Sequence, residues 1–259
     1  MNTPAIEERQ ASDGFVPVKS ADRVLQILEA LGSSALPLSL AELARTRRIP
    51  KSSLHSLIAT LLHRGWVELD GKSGRYSLGI RSLQLASSYL DLRGLTDRAA
   101  TTLDWLAVAS DETVQFARLD NTEVVYLAKR QSRHPVQLIS DVGTRLPVNA
   151  TALGKAILAE YTDDEIRGML PASLPALTKR SLTSLDALLA QLADVRQRGY
   201  AVDDEEAIEG ISCFAVALPQ RRTATTDAIS VSIPQFRMTE ATEQTVAKLL
   251  LKARGQLAI

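Results

Sequence analysis

After Pro17, apolar residues recur at helical spacing: Ala21, Val24, Leu25, Leu28 and Leu31 share one face and predict a helix over 20–31, ended by Gly32-Ser33-Ser34. Ser39 and Glu42 stand three apart as a capping box. The short helix they open buries Leu40, Leu43 and Ala44 and ends near Arg48. Pro50 suits the first turn of a third helix, because its missing amide would be unpaired there in any case. That helix turns Leu54, Leu57, Ile58, Leu61 and Leu62 inward and Ser52, Ser53, His55, Ser56, Ala59 and Thr60 outward, and Gly65 stops it. Residues 66–69 and 75–78 alternate like strands about a Gly-rich turn at 70–74.

From residue 81 the pattern changes. Helices are predicted over 83–95, 97–109, 149–161, 163–170, 184–198 and 239–255. Strands are predicted over 113–119 and 123–129, joined at Asp120-Asn121, and over 136–140, 199–202, 211–217 and 228–233. The expected fold class is α/β (α+β): three helices and a two-stranded wing, then a linker helix, then a mixed, mostly antiparallel sheet between helix layers. Such a sheet forms a cup suited to a small-molecule pocket. The expected divisions are a flexible arm over 1–16, a winged helix-turn-helix over 17–80, a linker helix over 81–96 and the α/β domain over 97–259.

Composition narrows the chemistry. The 259 residues are 45% hydrophobic with a net charge of +0, which excludes a uniformly basic or acidic chain. One cysteine excludes an internal disulfide framework and a cysteine-based zinc finger, and three histidines leave little for a metal site. Apolar runs fall far short of the ~20 residues that span a bilayer. The first residues, with Glu7, Glu8, Arg9 and Asp13, do not read as a signal peptide. The expectation is a soluble protein of the reducing cytoplasm, with no membrane partner and no cofactor. The aromatic fraction of 4% argues against a stacking platform for single-stranded nucleic acid.

The zero balance is segregated. Residues 17–80 hold nine Lys/Arg against five acids, net +4, while residues 1–16 and 81–259 are each net −2. Clustered cations suit a polyanion, and here they fall on a duplex-DNA reader. Arg45, Arg47, Arg48 and Lys51 gather at the turn, where phosphates would lie. Ser52, Ser53, His55 and Ser56 front the third helix, where base edges are reached, and Lys72 and Arg75 flank the wing. The bland alternative is a three-helix domain with a solvated basic face.

The chain resembles the IclR family of bacterial transcriptional regulators over nearly all of 17–255. The residues that carry the resemblance are Val18-Lys19-Ser20-Ala21-Asp22-Arg23-Val24-Leu25, Pro50-Lys51-Ser52-Ser53-Leu54-His55, Gly143-Thr144-Arg145-Leu146-Pro147, Thr151-Ala152-Leu153-Gly154-Lys155-Ala156, Gly199-Tyr200-Ala201-Val202-Asp203-Asp204-Glu205-Glu206, Gly210-Ile211-Ser212-Cys213 and Ser230-Val231-Ser232. The resemblance implies a winged helix-turn-helix joined to a GAF-like effector-binding domain, homodimers or homotetramers, a near-palindromic operator and a small organic effector. It implies a pocket lined by Leu138, Leu146, Ala152, Leu153, Asp203, Cys213, Ser230 and Ser232.

Physical sense accompanies that set. The start of the 149–161 helix offers amides and a dipole to an anion. Ser230 and Ser232, two apart on a strand, point the same way. Leu138 and Leu146 supply apolar wall, and Asp203 accepts a hydrogen bond. The plainer readings are a solvated acidic turn at 203–206 and a Cys213 that serves as a small buried hydrophobe. Residues 149–156 lack the glycine and the Ser/Thr of a phosphate loop. The chain departs from the family pattern at Ser56, where Arg is frequent, at Asn149, where His is frequent, and at Ile233, where Gly is frequent. The expected function is an effector-responsive regulator, more a repressor than an activator, with no catalytic residues. The competing readings are an enzyme with an accessory DNA-binding domain and a purely architectural DNA-binding oligomer. Only His134 stands as a histidine in the C-terminal part, and no nucleophile elbow is present.

Overall fold

A computed structural model describes residues 16–92, 95–134, 141–218 and 224–257, with the backbone alone for 90–92, 95–98 and 257. The chain divides into two units, Met1–Arg93 and Gly94–Ile259.

In the first unit the apolar spacing becomes helices α1 (Lys19–Ser33), α2 (Leu40–Thr46) and α3 (Lys51–His63). The capping box forms: the Ser39 amide donates to Glu42 Oε2 at 2.7 Å, and the Glu42 amide donates to Ser39 Oγ at 3.3 Å. Pro50 caps α3 from just outside rather than lying inside its first turn; its carbonyl accepts the Leu54 amide at 2.9 Å. Ile27, Leu31, Leu43, Ile49, Leu54, Ile58, Leu61 and Val67 close one core. Strands β1 (Val67–Asp70) and β2 (Arg75–Leu78) pair antiparallel from Val67↔Leu78 to Asp70↔Arg75. The Asp70 carboxylate accepts the Lys72 amide at 3.0 Å and so orders the turn. Two further ties hold the wing to the body. Leu38 and Tyr76 exchange backbone bonds of 2.9 and 2.7 Å, and Arg75 donates to the Pro37 carbonyl at 2.7 Å and to Glu42 Oε2 at 3.0 Å. Helix α4 (Ile80–Leu92) follows directly, starting earlier than its apolar spacing predicted, and leaves Ile80, Leu83, Leu85 and Tyr89 exposed.

Among the described residues the second unit is a six-stranded sheet between two helix layers. Its strands are β3 (Thr113–Asp120), β4 (Glu123–Arg130), β5 (Arg145–Pro147), β6 (Ala201–Asp204), β7 (Ile211–Leu218) and β8 (Asp227–Pro234), in the order β5-β4-β3-β8-β7-β6. Every pairing among the described residues is antiparallel. Side-chain alternation divides the strands between two cores. Val114, Phe116, Phe214, Val216, Ile229 and Val231 face α5 (Leu95–Ser110) and α9 (Glu240–Leu257). Ala117, Val124, Tyr126, Ala201, Ala215 and Ala228 face α6 (Ala152–Leu158), α7 (Asp163–Met169) and α8 (Leu185–Arg198). The small residues on this second face let α6 lie close to the sheet.

Local chemistry moved some predicted boundaries. The helix expected over 149–161 breaks into a 3₁₀ turn, Val148–Ala150, and α6, because extended Thr151 (φ −123°) stands between them as the N-cap of α6. Gly199 takes a left-handed φ of 84° and ends α8, so the strand expected over 199–202 begins instead at Ala201. Strand β5 was not anticipated, and the strand expected over 136–140 lies outside the described residues.

A Cβ on Gly154 would sit 2.3 Å from the Val148 carbonyl oxygen, a backbone atom that cannot swing aside. Gly154→Ala should destabilise the full chain by about 1–3 kcal/mol, measured by denaturant titration, with Gly168→Ala as the unhindered control.

Candidate functional site

The residues expected to read DNA lie around α2, α3 and the wing of the first unit. Arg45, Arg48, Lys51, Ser52, His55, Ser56 and Lys72 are exposed, and Arg47, Ser53 and Arg75 are half-buried. Leu54, Ile58 and Leu61 anchor the opposite side of α3, which fixes the outward direction of Ser52, His55 and Ser56. Arg48 holds a left-handed φ of 50° between α2 and α3. Arg75 is engaged inside the domain by Glu42, whose carboxyl is held below its usual range by hydrogen bonds from Ser39 and by the Arg75 charge. Lys72 is the exposed cation of the wing turn.

Of the residues expected to line an effector pocket, Asp203, Cys213, Ser230 and Ser232 lie on the α6 face of the second sheet. Register places Asp203, Cys213, Ser232 and Thr113 side by side on four adjacent strands, with Ala215, Ser230 and Gln115 in the next row. Cys213 Sγ lies 3.0 Å from Ser232 Oγ. The Ser232 and Ser230 hydroxyls donate to Gln115 Oε1 at 2.9 and 3.2 Å. This is a continuous polar file inside an otherwise apolar layer, and Asp203, Ser230 and Ser232 are each 1% exposed.

At the β6 end the file meets a buried charge cluster. Lys155 of α6, 0% exposed, donates through Nζ to Glu206 Oε1 at 2.6 Å. Asp203 Oδ1 accepts the Glu206 amide at 2.6 Å and the Ala207 amide at 3.2 Å. Glu206 Oε2 is buried with no hydrogen-bond partner among the described residues. Burial pushes the Asp203 carboxyl up to about 7, against the opposing pull of Lys155 and of the amide donors. Burial likewise raises the Cys213 thiol, with Asp203 adding to the effect, and lowers Lys155, with Glu206 opposing. Tyr126, on β4, has its hydroxyl pushed up by burial and by the neighbouring Cys213 and Asp203.

Of the remaining predicted lining residues, Leu146 pairs opposite Val124 and is half-buried against the α6 core. Ala152 and Leu153 are buried in the first turn of α6, and Leu138 lies outside the described residues. The anion reading of 149–154 loses ground, since α6 has only seven residues and its Gly154 amide is already taken by Thr151 Oγ1 at 3.0 Å. Asn149 has a different task. Its Nδ2 donates to the Pro175 and Leu182 carbonyls at 2.9 and 2.8 Å, and Thr178 and Ser181 hydroxyls donate to the Glu206 carbonyl at 3.2 and 2.6 Å. Residues 171–184 thus form a strap tied to the turn that carries Glu206.

Sequence reasoning passed over Gln115, Tyr126, Lys155 and Glu206. The available signal was a period-two interruption: Thr113 and Gln115 are polar where Val114 and Phe116 are apolar. Among the described residues there is no His/Cys/Asp/Glu cluster suited to a metal and no helix long and apolar enough to cross a membrane. Two cavities lie away from the polar file. One of about 690 Å³ is lined by Ala59, Thr60, His63, Arg64 and Arg81, and one of about 120 Å³ lies among α6, α8 and α9.

A basic helix-turn-helix with a wing, followed by an α/β unit with a buried polar file, defines a transcriptional regulator. Comparison with known proteins gives the family. The bacterial transcriptional regulator IclR C-terminal family matches residues 87–258, and the IclR helix-turn-helix domain family matches residues 20–71. The chain therefore belongs to the IclR family. The Transcriptional repressor IclR of Escherichia coli (strain K12) is 31% identical over 245 residues, 93% of this chain and 89% of that protein. An IclR-type regulator from Alicyclobacillus acidocaldarius shares the fold with a TM-score of 0.82 at 25% identity, over 94% of this chain and 98% of that one. An IclR homologue from Microbacterium hydrocarbonoxydans, crystallised with 4-hydroxybenzoate, shares the fold with a TM-score of 0.77 at 22% identity, over 92% of this chain and 98% of that one. These relatives are regulators rather than enzymes, and this chain is a regulator with them.

Two outcomes test the charge cluster. Lys155→Ala should cost about 3–5 kcal/mol in denaturant unfolding by stranding Glu206, whereas Lys155→Met with Glu206→Leu should recover most of the loss. Asp203, raised in the fold above its unfolded value, contributes stability at low pH that disappears as pH rises through about 7. Asp203→Asn should therefore gain roughly 2–4 kcal/mol relative to the parent between about pH 4 and about pH 8, read from parallel unfolding curves.

Proposed function

We propose that this protein is an effector-responsive repressor of the cytoplasm that binds a near-palindromic duplex operator as a homodimer or homotetramer. The DNA-reading domain is residues 17–80, the linker helix 81–96 and the effector and oligomerisation domain 97–259. The reading rests on the polar file Asp203–Cys213–Ser232, a buried set of donors and acceptors larger than a sheet core of this kind needs for packing alone. Arg45, Arg47, Arg48 and Lys51 meet phosphate, with Lys72 at the wing, where Arg75 is held by Glu42 and positions the wing instead, and Ser52, Ser53, His55 and Ser56 meet base edges. Exposed Val18 and Leu25 on the first unit, with Ile80, Leu83 and Leu85, support an apolar contact between copies.

The effector is a small carboxylic or aromatic acid held by Asp203, Cys213, Ser230 and Ser232 against Leu138, Leu146, Ala152 and Leu153. Binding changes operator affinity through a coupling of about 1–3 kcal/mol. The operator is found by sequencing host genomic DNA captured by the purified protein. On that site, Arg48→Ala with Lys51→Ala should flatten the salt dependence by roughly one unit of slope per lost phosphate contact while leaving acid binding intact. An unchanged slope would remove both residues from the phosphate surface.

A further inference from the structure

We propose that the effector site takes up its carboxylic acid together with one proton, held on Asp203, which makes Asp203 the residue that sets the charge class of the ligand. The inference rests on the effector reading above. It follows from a count of the charges that face Asp203. Lys155 comes from α6, Glu206 from the turn after β6, the Cys213 thiol from β7 and the Tyr126 hydroxyl from β4. From α8, Arg198 acts on Lys155 and donates through Nε to the Tyr200 carbonyl at 2.7 Å. Arg180 of the strap is paired with Asp204 and Glu205.

Lys155 is the one cation among the described residues that reaches Asp203, and it is committed to Glu206 at 2.6 Å. Asp203 is left with two backbone amides and no ion-pair partner of its own. Glu206 Oε2 has no donor among the described residues. The cluster therefore holds one buried carboxylate beyond its cations and one buried acceptor beyond its donors. A ligand carboxylate placed on the Ser230, Ser232 and Cys213 file stands beside Asp203 and adds a second unbalanced charge. Two adjacent buried carboxylates cannot both stay ionised, so they share a proton drawn from solvent as a carboxyl O–H donating to a carboxylate oxygen. The raised carboxyl of Asp203 makes this proton available near neutral pH. A dicarboxylate brings a further charge that no described group balances, so the site favours monocarboxylates.

The test is titration calorimetry of the full chain with benzoate and with acetate, each in two buffers of different ionisation enthalpy, from about pH 6 to about pH 9. Proton uptake is expected to be small at about pH 6, where Asp203 already carries the proton, and to rise toward one per acid above the Asp203 midpoint, where affinity falls roughly tenfold per pH unit. Asp203→Asn, whose amide donates the same bond without a proton from solvent, should bind with neither uptake nor slope. Wild-type binding without proton uptake at about pH 8 to 9 overturns the inference and leaves the effector reading standing. So does an Asp203→Asn chain that keeps the wild-type slope or loses binding altogether. Failure to bind either acid at any pH overturns both, and operator binding measured alongside shows whether the DNA-reading assignment survives.

Discussion

The second unit depends on a buried ion pair, Lys155 with Glu206. An ammonium with no solvent contact is tolerated only because a carboxylate meets it at 2.6 Å, and that carboxylate is presented by a turn that other groups must hold in place. Asp203 holds it from beneath by accepting the Glu206 amide, and Thr178 and Ser181 hold it from outside through its carbonyl. One electrostatic requirement thus ties together α6, the end of β6 and the strap over 171–184. The polar file on the sheet is continuous with this cluster through Asp203 and Cys213, so the chemistry of the proposed effector site and the stability of the domain share residues.

The first unit has a smaller counterpart in Glu42. One carboxylate closes the N-terminus of α2 through Ser39 and receives Arg75 from β2. Helix α3 itself is fixed by leucine and isoleucine packing, while the wing is fixed to the helices by a charge pair and the Leu38–Tyr76 bridge. An arginine that reads as a phosphate contact in sequence is thereby occupied by an intramolecular partner. Charge and position alone do not reveal such a commitment, because the carboxylate lies 33 residues earlier in the chain.

Much of the fold was legible where the signal is local. The capping box at Ser39, the inward leucines of α3 and the alternation in β7 and β8 each follow from spacing along a few residues. Boundaries failed where a single backbone conformation decides the outcome, as at extended Thr151 and left-handed Gly199. Ser230, Ser232, Cys213 and Asp203 were chosen from the family resemblance, and their adjacency comes from register across three strands. Lys155 and Glu206 were missed as site residues because their meaning lies in a contact 51 positions apart, and a lysine in an apolar helix or a glutamate in an acidic run reads as surface until the partner is known.

The strap is held in a particular manner. Asn149 grips the carbonyls of Pro175 and Leu182, and the strap's own Thr178 and Ser181 grip that of Glu206. A carbonyl is common to all twenty amino acids. Substitution at most strap positions, and at Glu206 as far as its carbonyl is concerned, leaves these fastenings chemically unchanged. A lineage is therefore free to rewrite the side chains of this segment while the backbone path persists, provided that Asn149, Thr178 and Ser181 remain. Such a separation of anchorage from surface lets one regulator scaffold explore new small-molecule vocabularies without first having to reinvent its architecture.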